Sequence, residues 1–391
     1  MNQDGYSTLP SSSAVVNLIM QNIQRLPEKV LLRIFSYLHH REVLKCAQVC
    51  RRWKAVAADS RLWQLVSFRP EFDGLQVSSV DALLWLITGR FGPNLRLIEL
   101  PMDLITPPVL HELSSKCPKL QYLTLDFSTA VQLHDFNDLM AFPARVRSLT
   151  LCLSHMIFLE SFIRRVYTFI SSLEVLHLIG TYEEVENEEE EAFEVINIHK
   201  LKQHTPNLRI VNLFGVLFVS DDHVESLSGS CVHLEVLSVS FCPKVTGTCL
   251  KLLLQRCRGL RTLLLEQTGL KSAHVMSADW ERSGIQELNL SATDLSAECL
   301  SSTLCRLPHL RWLSCGFQEA FTDKVLESWM LSGACANIVS LDLNTCDSVS
   351  DAMLREFIMR YGGQLRGLHL AGLPHLTEPF WLSAFPELCN I

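Results

Sequence analysis

The chain has 391 residues, of which 48% are hydrophobic, and a formal net charge of −8 at pH 7. The apolar content excludes a mostly disordered chain, and the negative charge argues against nucleic acid as the main partner, because phosphate contacts need clustered Lys and Arg. The sequence contains no apolar run near the roughly 18 residues of a membrane-spanning helix, and its start, MNQDGYSTLPSSS, shows no secretory signal. We therefore expect a folded protein of the cytoplasm, the nucleus or both, with no nucleic-acid or membrane partner.

The 14 cysteines and 14 histidines show no pattern typical of a metal or catalytic site. There is no C-x-x-C pair and no H-E-x-x-H, whereas a zinc site needs converging ligands, usually in close pairs. No phosphate loop and no nucleophile with a placed base stands out. We expect no metal, no cofactor and no catalytic residue, and cysteines that fill the core as free thiols.

Residues 1–13 are polar, and a weak helical pattern of apolar residues begins at Ala14, so residues 1–22 are predicted to form a disordered or weakly helical terminus. The next stretch, Leu26 to Leu65, has two runs of apolar residues at helical spacing, separated by His39-His40-Arg41. A segment of about 40 residues cannot bury enough surface to be stable by itself. These helices should therefore pack against the rest of the chain or against another protein.

Four motifs in this stretch resemble the F-box in order and spacing: Leu26-Pro27, the run Ile34 to Leu38, the block Val49 to Trp53, and Leu62-Trp63. A plain helical hairpin that caps the next domain would need apolar faces, but not these motifs together. The resemblance, which we extend over residues 23–66, implies a three-helix module that binds a Skp-type adaptor and, through it, cullin and RING subunits. It assigns the adaptor contact to Leu26, Pro27, Leu31, Ile34, Phe35, Leu38, Val49 and Trp53.

Residues 67–94 predict a connector and an N-terminal cap for the following domain. Pro70, Asp73 and Gly74 indicate turns, and the apolar spacing from Val80 to Ile87 predicts a helix.

From residue 95 onward the frame L-x-x-L-x-L recurs. Its first apolar residue is Leu95, Leu120, Val146, Leu173, Leu208, Leu234, Leu260, Ile285, Leu310, Ile338 and Leu365. The steps are 25 to 28 residues except for one of 35, which fits the period of leucine-rich repeats. Residues 95–391 are thus predicted to form an α/β horseshoe-shaped solenoid of about eleven repeats, in which each strand is followed by a helical stretch that packs behind the sheet.

Cysteines recur at fixed places in this frame, and this pattern resembles the cysteine-containing repeats typical of F-box proteins of this type. Cys117, Cys231, Cys257 and Cys335 fall three residues before a frame residue, and Cys242 and Cys346 fall eight residues after one. The motifs at Val219, Phe321 and Val349, each followed by Ser-Asp or Thr-Asp, resemble the same subclass and are expected to cap the following helix.

The single long step contains the acidic run 183–191, EEVENEEEE, directly after the strand LEVLHL. It is either a solvated loop or a contact for a basic segment of a substrate. The last stretch, 376–391, is predicted to cover the exposed edge of the final repeat.

Strand positions that alternate with the frame residues should point away from the helices, toward a partner or toward loops of this chain. The larger candidates for substrate contact are Tyr122, His177, Ile210, Phe214, Trp312, Asp342 and His369.

The resemblance implies a substrate-recognition subunit of an SCF-type ubiquitin ligase. The repeats would present an unidentified protein substrate for ubiquitylation and proteasomal degradation, without catalysis by this chain. The alternative is a scaffold that binds the adaptor or other partners and promotes no ubiquitylation.

Overall fold

The computed structural model describes residues 25–154, 157–180, 194–384, 386 and 388. The predictions for residues 1–22 and for the acidic run 183–191 lie outside these residues, as does part of the expected cap at 376–391.

Three short helices form the N-terminal module: α1 (Glu28–Phe35), α2 (His40–Cys46) and α3 (Arg51–Ala57). Each begins where local hydrogen bonds satisfy free amide groups. The carbonyl of Pro27 accepts from Val30 and Leu31, at 2.9 and 3.1 Å. The Glu42 carboxylate accepts from the His39 amide at 3.0 Å, and the Cys50 sulfur accepts from the Trp53 amide at 3.4 Å. Both α1 and α2 contact α3.

Twelve parallel strands follow in one sheet, in the order of the sequence. They are β1 (Leu65–Ser67), β2 (Leu97–Pro101), β3 (Tyr122–Asp126), β4 (Ser148–Cys152), β5 (Val175–Ile179), β6 (Ile210–Asn212), β7 (Val236–Ser238), β8 (Thr262–Leu264), β9 (Glu287–Asn289), β10 (Trp312–Ser314), β11 (Ser340–Asp342) and β12 (Gly367–His369). Each strand pairs with the next at the same register, so equivalent residues stand side by side along the sheet.

Helices connect most of the strands and pack on one face of the sheet. They are α4 (Val80–Leu86), α5 (Pro107–Lys116), α6 (Glu160–Val166), α7 (Ile198–His204), α8 (Asp221–Ser230), α9 (Leu250–Arg256), α10 (Ser272–Met276), α11 (Ala297–Cys305), α12 (Asp323–Ser332), α13 (Asp351–Tyr361) and α14 (Glu378–Ala384). The described stretch between β3 and β4 contains no helix, in line with the weak pattern of its sequence. None of the helices described is long and apolar enough to cross a bilayer.

The repeat frame predicted the core. All eleven first frame residues, from Leu95 to Leu365, are at most 2% exposed. Cys315, which replaces the third apolar residue of its frame, is also fully buried. The α/β solenoid is therefore confirmed.

The sheet has one strand more than the predicted eleven repeats. Strand β1 pairs with β2 through Val66 and Ile98, and its core residues are Trp63, Val66 and Phe68, all at most 1% exposed. The missed frame is W-x-x-V-x-F instead of L-x-x-L-x-L. Its first residue, Trp63, also completes the F-box pattern, so the sequence prediction places it in the preceding module and misses this repeat.

Turns of one conformation follow the strands from β6 onward. Gly215, Phe241, Gln267, Ala292, Phe317, Thr345 and Gly372 all have positive φ, between 49° and 72°. From Gly215 to Thr345, the amide of each donates to a carbonyl of the next repeat at 2.8–3.0 Å. These bonds extend the sheet pairing by one step beyond the strands and hold consecutive repeats together.

Candidate partner-binding surfaces

Helix α1 is apolar on two sides, and only one of them faces the core. Leu31 and Phe35 are 1% and 2% exposed, and the Phe35 ring meets the Trp53 ring edge-on at 5.3 Å. Two of the eight residues predicted to contact an adaptor therefore lie inside the module. Their direct role is to hold α1 against α3.

The other side of α1 carries Val30 and Ile34, and Tyr37 lies in the turn directly after the helix; we call these three residues the outer stripe. They are 41%, 43% and 71% exposed. Val30 and Ile34, four residues apart, share one face of the helix. The sequence prediction named Ile34 but missed Val30 and Tyr37, although the spacing of i, i+4 and i+7 was visible. Apolar side chains this exposed at consecutive turns indicate a surface for a partner.

The remaining predicted adaptor contacts lie at the margins of the module. Pro27 is exposed and Val49 is 52% exposed, whereas Leu26, Leu38 and Trp53 are half-buried. The Arg52 guanidinium donates to the Leu26 carbonyl, which holds the start of α1 against α3. These positions remain predictions as partner contacts.

The module joins the solenoid without a linker, because only Gln64 separates Trp63 from β1. The Trp63 ring stacks on His40 at 4.8 Å and lies 5.5 Å from Phe91, in the first turn of the solenoid. The Asn94 amide donates to the Ser60 hydroxyl at 2.7 Å.

Further polar contacts fix the connector to both parts. The Arg41 guanidinium donates to the Gly74 carbonyl at 2.9 Å. Arg69 forms a largely buried ion pair with Asp126, at the end of β3, at 2.6 Å. The outer stripe and the sheet are thus held in a defined relation to each other.

We call the face of the sheet away from the helices the open face. Its first seven strands carry a strip of mostly apolar residues. The first outward residue of each strand stands beside its neighbours in register, and in the first seven strands six of the seven are apolar. In strand order they are Leu65, Leu97, Tyr122, Ser148, Val175, Ile210 and Val236. Leu65 is 57% and Tyr122 46% exposed, so the strip is open to a partner.

The predicted substrate contacts all occur on or next to the open face, but they do not form one cluster. Tyr122 and Ile210 belong to the apolar strip. Trp312 lies on β10, 37% exposed, with the Arg311 guanidinium 4.7 Å above its ring. His369 is exposed at the far end, on β12.

The other three predicted contacts have partners within the chain or are partly enclosed. Asp342 accepts from the Ser314 hydroxyl at 2.8 Å. The Phe214 ring lies 4.8 Å from that of Phe241, beyond the end of β6. Burial lowers the pKa of His177, so its half-buried ring is neutral at neutral pH.

The buried cysteines lack the environment of reactive thiols. Burial raises the pKa of Cys117 and Cys242 to about 12 and of Cys231, Cys257 and Cys346 to about 11. Cys242 and Cys346 donate to carbonyl oxygens of the preceding repeat, at 3.1 and 3.0 Å. Thiolates are the reactive form, so these residues act in packing. The described residues contain no group of three or more side chains placed to hold a metal ion.

Comparison with known proteins agrees with this architecture. The family described as F-box-like matches residues 23–69. The chain is 31% identical to human F-box/LRR-repeat protein 12 over 119 residues, which are 27% of this chain and 33% of that protein. It is 28% identical to the mouse protein of the same name over 156 residues, 36% of this chain and 44% of that protein.

These matches thus span less than half of each relative's length. A solved structure, the Rad7 and Elc1 complex of yeast, aligns over 98% of this chain and 92% of that chain, with 15% identity and a TM-score of 0.44.

Proposed function

We propose that this chain is the substrate-recognition subunit of an SCF-type ubiquitin ligase. The F-box-like match and the similar proteins support its membership of the F-box/leucine-rich-repeat family, from which the proposal starts. The N-terminal module would bind a Skp-type adaptor, and through it cullin and RING subunits. The open face would bind the protein to be ubiquitylated. The chain itself would contribute no catalytic residue.

The observation that carries the proposal is the outer stripe. Val30 and Ile34 are exposed apolar side chains on a helix whose other side is already packed, and the exposed Tyr37 follows directly after that helix. Burial of their apolar surface, which gains about 25 cal/mol per Å², would favour association with an apolar partner surface. An F-box-like match at the same residues gives that partner its expected identity, a Skp-type adaptor.

The junction at Trp63 supports a role in presentation. A substrate receptor acts by proximity, because holding the substrate near the ubiquitin-carrying enzyme raises its effective concentration and orients its lysines. A junction without a flexible linker, with ring contacts at 4.8 and 5.5 Å, would keep that distance defined.

The direct test places a charge in the outer stripe. In Ile34→Arg/Val30→Arg, two exposed apolar side chains become cations, which leaves the core of the module untouched and opposes burial against an adaptor. We expect co-purification of the adaptor to fall by at least about tenfold, since 1.4 kcal/mol already corresponds to that factor. The measurement is quantitative pull-down of adaptor and cullin from cells in which the proteasome is inhibited.

Leu331→Arg is the matched control, because Leu331 is 74% exposed on α12, far along the chain from the module. It should retain the adaptor fully. Adaptor binding that survives in the stripe variant would refute the proposed interface.

Proteins that bind wild type and the stripe variant equally, but accumulate ubiquitin only with wild type, would be substrates. Bound proteins without ubiquitin would indicate the scaffold function instead.

A further inference from the structure

The row of first outward residues changes in chemistry after β7. In the first seven strands it is the apolar strip, and in the next three strands it continues, in register, through Thr262, Glu287 and Trp312. We call the whole row, from Leu65 to Trp312, the outward row. Because neighbouring strands are about 4.8 Å apart, Glu287 stands about 10 Å beyond Val236, the last residue of the strip. A ligand that follows the row therefore passes from apolar side chains to a carboxylate and then to an aromatic ring.

The open face is negatively charged where the outward row reaches Glu287. Asp342 on β11 and Glu266, two residues after β8, add two further carboxylates. Glu287 accepts from the Thr262 hydroxyl at 3.0 Å, and Glu266 accepts from the Asn289 amide at 3.2 Å, so neutral groups orient both side chains. Strands β8 to β11 lie wholly within the described residues, and their outward positions contain no lysine or arginine. This part of the open face is complementary to a cationic ligand.

A lower, polar surface borders the apolar strip. The second outward residue of each strand lies beside the strip, and in the first seven strands four of these residues are Ser or Thr. They are Ser67, Thr124, Thr150 and Ser238. A helix is about 10 Å wide with its side chains, so it would cover the strip and this polar surface together.

The spacing of the outward row fits a helix laid across the strands better than an extended segment. Along one side of a helix, apolar residues recur with each turn of about 5.4 Å, close to the strand spacing of about 4.8 Å. Residues on one side of an extended segment recur at about 6.7 Å. From β2 to β6 the row spans about 19 Å, which is the length of a helix of about 13 residues. Apolar anchors one turn apart would thus lie along the strip.

We propose that the outward row binds an amphipathic helix of a protein partner. The apolar stripe of that helix lies on the apolar strip, and a lysine or arginine about two turns beyond the last apolar anchor pairs with Glu287 beside the Trp312 ring. The Arg311 guanidinium, 4.7 Å above this ring, shows that Trp312 accepts a cation. The carboxylates disfavour a nucleic acid, whose phosphates they would repel. The proposal rests on the proposed function in taking this partner to be the protein that is ubiquitylated.

The first test selects peptides on the immobilised full chain, co-expressed with a Skp-type adaptor. The probe is a display library of about 20 randomised residues, which is long enough for a helix of about 30 Å. We expect the recovered peptides to share apolar residues at helical spacing and a lysine or arginine about two turns from them. Proline at the centre of a recovered peptide should weaken its binding at least about tenfold by fluorescence anisotropy, because proline breaks a helix.

The second test reverses the charge at the acidic end of the row. Glu287→Lys should weaken binding of a recovered basic peptide by at least about tenfold at low salt. Glu281→Lys is the matched control, because Glu281 is exposed in the connection before β9 and the change in net charge is the same. A peptide with Glu in place of its cation should bind Glu287→Lys more tightly than wild type. This reciprocal rescue separates a direct pair from misfolding of the variant.

The third test removes apolar surface from the strip. Tyr122→Ala/Ile210→Ala should weaken binding of the same peptide by at least about tenfold, whereas Trp85→Ala, at a site 66% exposed on α4, should not. A selection that recovers no peptide, or peptides without helical spacing, would overturn the proposal. Tolerance of the central proline would indicate an extended ligand and would overturn it as well. Equal effects of Glu287→Lys and Glu281→Lys would refute the pairing with Glu287.

The adaptor in the same samples separates these results from the proposed function. If the adaptor remains bound while no helical peptide is recovered, the proposal for the outward row fails alone. If helical peptides are recovered but wild type does not hold the adaptor, the proposed function fails and the binding site on the outward row remains.

Discussion

At the scale of single residues, Asp221 shows how one carboxylate joins two repeats. Its oxygens accept from the Thr246 amide and hydroxyl, both at 2.8 Å, and from the amides of Gly247 and Cys249, at 3.0 and 3.1 Å. All of these donors belong to the following repeat. The neighbouring Ser220 forms the capping box of α8 with His223. The expected capping motif is thus divided between two tasks: Ser220 caps its own helix, and Asp221 binds the next repeat.

We predict that Asp221→Asn destabilises the solenoid by about 1–3 kcal/mol, because the amide has one acceptor oxygen and leaves buried donors without a partner. Urea unfolding monitored by circular dichroism measures the change. Asp222→Asn is the control, since Asp222 is exposed at the first turn of the same helix, where its loss should cost less than about 1 kcal/mol. Equal effects of the two substitutions would contradict a bridging role for Asp221.

The same carboxylate predicts a pH dependence. Burial acts to raise the pKa of Asp221, but the hydrogen bonds from Cys249 and Thr246 outweigh it and hold the pKa below the usual 3.8. A carboxyl whose pKa is lower in the folded state stabilises the fold above its unfolded pKa, and this stability is lost as the pH falls through the folded pKa. The difference in unfolding free energy between wild type and Asp221→Asn should therefore be constant near neutral pH. It should shrink below about pH 4.

At the scale of structural elements, the strand frames were predictable and the turns after them were not. The spacing of apolar residues determines which side chains face the helices, so Leu120 and Leu260 could be assigned to the core directly. Positive φ is usually signalled by glycine, which is present at Gly215 and Gly372 but not at Ala292 or Phe317. The conformation there follows from the hydrogen bonds between repeats, which a single sequence does not display. The same limit applies to the open face, whose residues are distant in sequence and adjacent only through the sheet.

The turn after β9 gives a prediction of its own. Ala292 has a φ of 53°, and its amide donates to Gly316 at 2.9 Å. A left-handed conformation costs a non-glycine residue about 1–2 kcal/mol, whereas glycine loses about 0.5–1 kcal/mol through its unfolded-state entropy. Ala292→Gly should therefore leave stability unchanged or raise it by up to about 1 kcal/mol.

Ala55→Gly, at an exposed site within α3, is the comparison, and it should cost about 1 kcal/mol. The midpoint temperature of thermal unfolding should rise for Ala292→Gly and fall for Ala55→Gly, or change for Ala55→Gly alone. A clear loss of stability in Ala292→Gly would show that the strain at this turn is absent.

At the scale of the whole molecule, Trp63 belongs to two units at once. Its indole nitrogen donates to the Ala57 carbonyl of the N-terminal module at 2.8 Å, and its ring packs between His40 and Phe91. It is also the first frame residue of the solenoid. The sequence prediction assigned it to the module alone, because the Leu-Trp pair completes the F-box pattern. A residue that satisfies two patterns marks the place where the two units share a core.

We predict that Trp63→Ala weakens both units together. Removing a large aromatic side chain that is 1% exposed should cost about 3–5 kcal/mol. Because the ring contacts the module and the first turn of the solenoid, amide hydrogen exchange should accelerate in α2, α3 and β1 alike. Trp85→Ala is the control: Trp85 is 66% exposed on α4, and its loss should change stability by less than about 0.5 kcal/mol. If exchange in Trp63→Ala accelerates in the helices while β1 keeps its protection, the module folds independently, and presentation of a substrate at a fixed distance would require another explanation.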